Sequence, residues 1–496
     1  MDIGTSYWKA ALYDSSGNVI SSGILPSKLH AGSQFQYYDA NELWEAVVWL
    51  LGKIISRVKN SRDIKGIAVT SMAESVVPVD RRGRVIFPVI TWYDKCTEEQ
   101  AGYLADKIGA EKICGVTGLY LKHIYSANKI LWIKQNKPEV HRNAHKYLCI
   151  SDYIVYKLTG SYLTDYSMAS RTMLFDINRK KWSDFLLERS GIEVSKLPQL
   201  KESGYPAGTP AVNACRATGL SRKTVVSVGG HDHVCAAFAA GVVSEGGLFD
   251  SIGTVESIFT VVNKPVTGDS KCKSGFSSGC HVEKGKYYLM GGIYTAGAVV
   301  DWLAGVLGSQ KKLSKGKKLE FIKNALNAPS SCMESGQDIF FLPYFRGSGP
   351  PEVDYSRKGA IYGLGLSHNG RDIMKAAVYG LNCESRKMAE AIAELTEKQI
   401  TGYTVSGSLS EIGSWMQAKA DFLNREIEVV NVKETGTLGA AMLGGLGAEV
   451  FSSAHDLRNR IKCSKTVYAP RKNKRAGFER YYEKYRKITR LSTRYL

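Results

Sequence analysis

At 496 residues the chain is long enough for two or more domains with sizeable cores. Its 44% apolar and 10% aromatic content is that of a globular protein, which excludes a disordered or fibrous chain. The net charge of +19 favours anionic ligands, and neither an 18-residue apolar run nor a basic-then-apolar leader is present, so a cytoplasmic protein with no membrane span is expected.

The chain opens with DIGTSYWKAALYD, a turn at Ser15 to Asn18, and VISSGIL, which together predict a β-hairpin. Only Met1 precedes Asp2, too short a body for the strand it would end, so the natural start is expected several residues upstream. A helix is predicted at about 41 to 59, with Asp39 and Glu42 as a capping box and Leu43, Val47, Leu50, Leu51, Ile54 and Val58 on one face. GIAVT (66 to 70) has the uninterrupted apolar character of a buried strand. SMAES, a DRRGR turn and VIFPVITWYD follow, and this alternation predicts an α/β sheet with functional residues at strand ends.

Residues 126 to 136 predict a helix, and 151 to 160 another, capped by Ser151 or Asp152 and ended by Gly160. Residues 164 to 178 predict a loop leading into a strand, WSDFLLERSG a helix, and 202 to 210 a loop. At 225 to 254 a β-branched strand meets a Gly-Gly turn, then Asp232, then a helix rich in alanine. A carboxylate there stands at the mouth of a strand-turn-helix, held by rigid elements on both sides.

The second half repeats the alternation. Residues 285 to 303 predict strand, glycine turn and helix; 308 to 318 a solvated loop; 337 to 351 a strand into a Pro/Gly loop. A long helix is predicted at 370 to 395, strand-turn-helix at 402 to 423, and a small-residue helix ending at 448, with a domain boundary near 242 to 248. The tail from 471 to 496 holds ten Lys or Arg against two Glu, but RYYEKYRKITRL reads as an amphipathic helix with Tyr and Ile inward, so nucleic-acid binding is not expected. The ten cysteines include no C-x-x-C pair and read as reduced thiols filling cores.

Ile-Gly-Thr occurs twice, starting at residues 3 and 252, half a chain apart. Gly-Thr between hairpin strands lets backbone N–H groups and a hydroxyl close on an anion, so two such turns facing each other make a phosphate clamp. Two unrelated hairpins sharing a tripeptide would look the same. Neither G-x-x-x-x-G-K-[ST] nor G-x-G-x-x-G is present, so a nucleotide enzyme of this pattern has to hold phosphates with paired hairpins. His231, Asp232 and His233 as a metal site would lack further ligands at fixed spacing.

On these residues the chain resembles the FGGY carbohydrate kinases, a family on the actin/hexokinase/Hsp70-type fold that includes xylulokinase, glycerol kinase and gluconokinase. DIGTSYWKAALYD resembles the first phosphate motif, SANKILWIKQN and LTGSYLTDYSMASRTMLFDI the N-terminal signatures, and GGHDHVCAAFAAG the catalytic-Asp motif. DSIGT resembles the second phosphate motif, GAIYGLGLSHNGRDIMKAAVYG the C-terminal signature, and SGSLSEIGSWMQ with ETGTLGAAML the adenosine region.

The resemblance implies an α/β fold of two duplicated actin-like (ribonuclease H-like) domains with the active-site cleft between them. Residues 1–241 would bind sugar, 249–450 would bind nucleotide, and 451–496 would pack on both as a basic helical tail. It implies phosphorylation of a sugar or polyol hydroxyl by ATP and Mg²⁺, with no nucleic-acid or membrane partner, and is compatible with a homodimer. Asp232 would be the general base and, with Asp2, the metal ligand. Gly4, Thr5, Ser6 and Lys9 would hold phosphates from one side, Gly253 and Thr254 from the other, with Gly297, Gly407 and Ser408 at the nucleotide. Glu74, Trp92, Asp94 and His233 would face the sugar. Ala73 stands where glycerol kinases have Arg, so a pentulose such as xylulose is preferred over glycerol, another polyol or a sugar acid. A catalytically weak, sugar-responsive binding protein is the alternative from another class.

The chain departs from the family pattern at four places. Cys96 replaces the Arg of W-x-D-x-R, Gly407, Ser408 and Leu409 stand where relatives have a glycine triplet at the adenine, Tyr379 replaces the usual acid of the C-terminal signature, and GSGPP a G-E-R-T-P-like loop.

Overall fold

The computed structural model describes residues 1–307, 315–327 and 338–495. In the first half, β1 (Asp2–Ile3), β2 (Tyr7–Tyr13), β3 (Val19–Pro26), β4 (Gly66–Ser71), β5 (Pro206–Gly208) and β6 (Val225–His231) form a sheet in the order β5-β6-β4-β1-β2-β3. In the second half, β7 (Gly247–Ile252), β8 (Glu256–Val262), β9 (Ser277–Cys280), β10 (Tyr287–Ile293), β11 (Gly402–Ser406), β12 (Ile427–Val430) and β13 (Lys465–Tyr468) run in the order β9-β10-β8-β7-β11-β12-β13.

The two sheets share a plan. β1, β2 and β3 are antiparallel neighbours that β4 and β6 extend in parallel. β7, β8 and β10 are likewise antiparallel, extended in parallel by β11 and β12. Each Ile-Gly-Thr turn joins the first strand of its half to the second, so the repeated tripeptide marks a repeated topology and the reading as unrelated hairpins is set aside.

The helices follow in chain order. α1 (Ala40–Ile55) buries Leu43, Val47, Leu50, Leu51 and Ile54 on the first sheet and stops before Val58. Asp39 caps it by accepting the amides of Asn41 and Glu42, while the Glu42 carboxylate turns to Lys28 and His30 instead of closing a capping box. α2 (Ala110–Thr117) and α3 (Ser126–Asn136) precede α4 (Ile150–Thr159), which starts one residue earlier than expected. Its Asp152 accepts the Cys149 N–H from inside the first turn at 3.0 Å, and Gly160, at φ 84°, ends it. Residues 164 to 178 are more than a loop: a strand (Leu163–Asp165) and a helical turn (Tyr166–Ala169) form there because the Asp165 side chain takes the amides of Ser167 and Met168.

Later helices that frame the site and its packing are α5 (Asp232–Ala239), α6 (Asp269–Ser274), α7 (Ala296–Leu307), α8 (Gly370–Thr396), α9 (Gly413–Leu423), α10 (Thr435–Gly447) and α11 (Arg475–Tyr495). Most of the expected loop at 308 to 318 lies outside the described residues, and a helix, Lys315–Asn327, begins within it. The start of the 337 to 351 segment also lies outside, and its strand is Phe340–Leu342.

α10 ties the halves together. Its small residues sit directly on α5, β4 and β6 of the first half; a Cβ on Gly439 would lie 2.0 Å from the Cys235 carbonyl oxygen. α11 packs inward through Phe478, Tyr481, Tyr482 and Tyr485, as its periodicity predicts. Tyr379 belongs to this aromatic cluster, edge-on to Phe422, Phe478 and Tyr481, which accounts for an aromatic where an acid is usual.

The expectation of reduced thiols fails at two positions. Cys114 of α2 and Cys272 of α6 form a disulfide, Cα to Cα 6.0 Å, that joins the two halves. The partners are 158 residues apart, so no local spacing could announce the pair. Cys149, Cys235, Cys280 and Cys383 are buried free thiols, as expected. Among the described residues no helix is long and apolar enough to cross a membrane.

Candidate active site

β6 carries Asp232 to its position. The strand runs parallel to β4 in the buried middle of the sheet, and Asp232 is the first residue of the helix that follows. Its Oδ1 accepts the His233 N–H at 2.7 Å and lies 3.2 Å from His231 Nε2. Burial, with the Arg171 guanidinium nearby, holds His231 well below the ordinary imidazole range, so it meets Asp232 as a neutral ring. Burial, then the Glu74 charge, pushes the Asp232 carboxyl up to about 7, while Arg171 and Lys9 pull it down.

Asp2 begins the two-residue strand β1. Burial and the Asp232 charge raise its carboxyl to about 6. Its Oδ1 is buried without a hydrogen-bond partner. In the β1–β2 ladder Asp2 stands opposite Lys9, whose Nζ binds Glu434 Oε2 at 2.6 Å. Glu434 immediately precedes α10, so this contact crosses from one half to the other.

The first Gly-Thr turn is closed by Gly4 N–H donating to Tyr7 O at 3.0 Å. Thr5 Oγ1 accepts from Trp92 Nε1 at 3.0 Å, and Ser6 is exposed. The second turn is closed by Gly253 N–H to Val255 O at 2.9 Å and leaves Thr254 exposed. Gly297, at the start of α7, donates to Gly253 O at 3.0 Å, and a Cβ there would come within 2.4 Å of that oxygen. Gly407 has φ 106° and packs on the Ile252 carbonyl, with Ser408 exposed beside it. Leu409, the departure from the glycine pattern, is a core residue whose N–H donates to Ile252 O at 3.3 Å.

A chain of contacts runs from one turn to the other. A Cβ on Gly436 would lie 2.8 Å from Asp2 Oδ2; Thr435 Oγ1 lies 3.4 Å from Ser406 Oγ; and Ser406 pairs with Ser251, two residues before Gly253.

Of the sugar-facing residues, Glu74 is buried at φ 68°, and its Oε1 is gripped by Arg171 Nε at 2.7 Å and Nη2 at 2.6 Å. His233 is half-buried, and desolvation and the Arg171 charge hold it below its ordinary range. Trp92 is anchored to Thr5, with its carbonyl oxygen accepting from Lys129 at 3.2 Å. The Asp94 oxygens accept the amides of Gln36 and Cys96 at 2.7 and 2.9 Å, which braces the loop that carries Trp92.

Sequence reasoning missed Arg171, Lys129 and Glu434. Arg171 was visible only as a cation in the otherwise uncharged run Tyr166 to Phe175, and Lys129 only as a charge on the apolar side of a helix. Lys129 is fully buried, donating also to Ile124 O at 2.6 Å, and burial lowers it to about 8.

Comparison with known proteins decides the family. The family models "FGGY family of carbohydrate kinases, N-terminal domain" and "C-terminal domain" match residues 1–239 and 251–448. The chain belongs to the FGGY family of carbohydrate kinases. This FGGY kinase is 29% identical to a glycerol kinase of Thermococcus gammatolerans, over 95% of this chain and 92% of that one. It is 26% identical to a xylulose kinase of Bacillus subtilis, over 98% and 95%. A gluconate kinase structure from Lactobacillus acidophilus superposes with a TM-score of 0.89 at 22% identity, over 99% of this chain and 97% of that one, and shares the fold. The FGGY kinase is therefore a sugar or polyol phosphotransferase of the two-domain actin-like class, and its relatives carry several substrate names.

Proposed function

We propose that this FGGY kinase transfers the γ-phosphoryl group of ATP to a hydroxyl of a small sugar, with a pentulose of the xylulose type as acceptor. The observation that carries the reading is the pair of carboxylates, Asp2 buried and Asp232 partly buried, at the junction of the halves, each held well above the ordinary carboxylate range. A sugar hydroxyl is a poor nucleophile; the Asp232 carboxylate accepts its proton as the oxygen approaches phosphorus. The helix start and the neutral His231 fix where that carboxylate points.

The unpartnered, buried Oδ1 of Asp2 is a hard anionic oxygen of the kind Mg²⁺ takes, so the residues fit that ion, with Asp2 as its holder. When bound, Mg²⁺ would offset the charge on the transferring phosphate oxygens. Lys9, with Gly4, Thr5 and Ser6, holds phosphate oxygens from one half, and Gly253 and Thr254 hold them from the other. Gly297 and Gly407 let their backbone close on Gly253 and Ile252, which shapes the wall for the nucleotide, with the exposed Ser408 beside it. At the sugar, the Glu74–Arg171 pair and His233 offer matched polar groups to hydroxyls, and the Trp92 face suits C–H surfaces.

ADP release measured across pentuloses, glycerol, other polyols and sugar acids tests this. Xylulose with the highest kcat/KM is expected. A better turnover of glycerol or a sugar acid overturns the pentulose assignment alone, and no release with any acceptor overturns the kinase reading in favour of a binding protein.

A further inference from the structure

The second Gly-Thr turn stands on a buried ionic cluster that the phosphoryl-transfer reading leaves unused. Lys419 of α9 is fully buried, and its Nζ lies 2.5 Å from Asp250 Oδ2 and 2.7 Å from Glu256 Oε1, on side chains that are fully buried as well. It also donates to Ser385 Oγ of α8 at 3.2 Å, so all three protons of the ammonium have acceptors. Tyr403 of β11 donates to the same Asp250 oxygen at 3.0 Å, and Ser385 Oγ contacts the same Glu256 oxygen.

Strand register shows what the cluster grips. Asp250 lies on β7 and Glu256 opens β8, the two arms of the hairpin whose tip is Gly253 and Thr254. Glu256 stands opposite Ile252, two residues after Asp250, so the two carboxylates share one face of the hairpin as diagonal neighbours. Acids placed in this way repel each other; a single ammonium between them draws both arms towards α9.

The backbone of the turn is held too. Gly253 O accepts from Gly297 N–H at 3.0 Å and Thr254 O from Ala298 N–H at 3.1 Å, both in the first turn of α7. Ile252 O accepts from Leu409 N–H at 3.3 Å. Three successive carbonyls are tied down while the Thr254 side chain stays exposed.

Buried ion clusters add little stability, since apolar side chains of similar volume often do as well without the desolvation cost. Their contribution is geometric: this cluster is satisfied at one setting of the hairpin, and sliding or twisting either arm breaks it. We propose that Lys419 is a positioning residue for phosphoryl transfer, which by bridging Asp250 and Glu256 sets the Gly253–Thr254 turn against the polyphosphate of the nucleotide. This role rests on the reading of that turn as phosphate-holding, and adds what holds the turn. A displacement of about 1 Å there is enough to cost on the order of 10²-fold in turnover.

Lys419→Met strands two buried carboxylates, so its lower melting temperature would not separate positioning from folding. The deciding variant is the neutral triple, Asp250→Asn with Glu256→Gln and Lys419→Met, which keeps the side-chain volumes and removes every charge. It is expected to melt within a few degrees of the unaltered chain and to bind ATP and ADP weaker by about tenfold or more, with adenosine affinity held within about twofold. In turnover, KM for ATP should rise while KM for the acceptor does not. A folded triple variant that binds ATP as the unaltered chain does overturns the proposal, and so does equal weakening of ATP and adenosine, which marks a structural role. Where the triple variant does not fold, Glu256→Gln decides, because it retains the neutral Lys419–Asp250 pair and frees only the β8 arm. It should weaken ATP binding by about threefold and leave adenosine unaffected; unchanged ATP binding overturns the proposal. Failure of the unaltered chain to bind any nucleotide is a separate result, which removes the phosphate reading itself and this role with it.

Discussion

Asp232 is the residue at which, on the proposed mechanism, activity and stability pull in opposite directions. Its folded carboxyl titrates near 7 and that of Asp2 near 6, both above the ordinary 3.8. The proposed base is competent only when ionised, so kcat/KM should rise with pH through an acid limb between pH 6 and 7, the two steps belonging to the pair and not to either residue. Asp232→Asn should lose phosphoryl transfer by about 10²- to 10⁴-fold while nucleotide still binds, and near-normal turnover would remove Asp232 from the mechanism. The linkage sign is the reverse of a salt-bridged carboxylate. The folded state binds the proton more tightly, so between about pH 4 and 7 the unfolded chain carries fewer protons and stability falls as pH rises. The same substitution should therefore stabilise the fold at pH 8, on the order of 2 kcal/mol, and lose that gain below pH 4, read by denaturant titration.

Glu74 shows how a residue can be legible while its partner is not. The sequence marks an acid after a buried strand, with no basic residue beside it, because Ala73 occupies the neighbouring position. The structure brings the guanidinium from Arg171, 97 residues away, into a contact that both side chains make while buried. Arg171→Ala strands a buried carboxylate, which costs about 3–5 kcal/mol where Glu74 stays ionised. The expected result is a lowered melting temperature together with a raised KM for sugar; loss of stability with KM unchanged would make Arg171 structural only.

At the scale of elements, periodicity carried most of the reading. The apolar faces of α1 and α11 follow directly from residue spacing, as do the strand and helix that flank Asp232, but the expected Gly-Gly turn does not form: Gly229 and Gly230 lie within β6, which runs straight into α5. What spacing could not carry is which backbone a small residue abuts. The glycines and alanines of α10 announce close packing, but not that the surface they meet is the first half's sheet. Lys419 is a second instance: inside an otherwise regular helix, its Nζ bonds Asp250 and Glu256, all three fully buried. A charge at such a position reads in sequence as a solvated face, and only the tertiary arrangement supplies two acids for it. Side-chain chemistry also limited what the tail revealed. Tyr485 donates to Glu384 Oε1 at 2.9 Å from within the aromatic cluster. Tyr485→Ala should cost about 3–5 kcal/mol through the cavity it leaves, and Tyr485→Phe about 1–2, the loss of one hydrogen bond to a charged acceptor. Equal melting temperatures for the two variants would show that packing contributes nothing beyond that bond.

At the scale of the molecule, the ties between the two halves include three of different kinds: α10 seated on the first sheet, the Lys9–Glu434 ion pair, and the Cys114–Cys272 disulfide. Closure of a cleft on its substrates excludes water and brings phosphate groups from opposite sides into line. A covalent tie cannot lengthen, so any closing rotation has to pivot where α2 meets α6. The surrounding contacts agree, since Ser278 N–H donates to Gly118 O at 2.7 Å and Cys280 N–H to Ser170 Oγ at 3.0 Å, stitching β9 to the first half. Xylulose with a non-hydrolysable ATP analogue should therefore shrink the radius of gyration in solution scattering, and identical profiles with and without ligands would count against closure. Reduction, or paired Cys114→Ser and Cys272→Ser, should lower unfolding stability by about 2–5 kcal/mol yet leave the ligand-induced change in scattering intact, because a pivot held also by hydrogen bonds survives loss of the bridge. If the reduced protein no longer contracts, the disulfide is what defines the axis; if its stability is unchanged, the bridge does not form in solution.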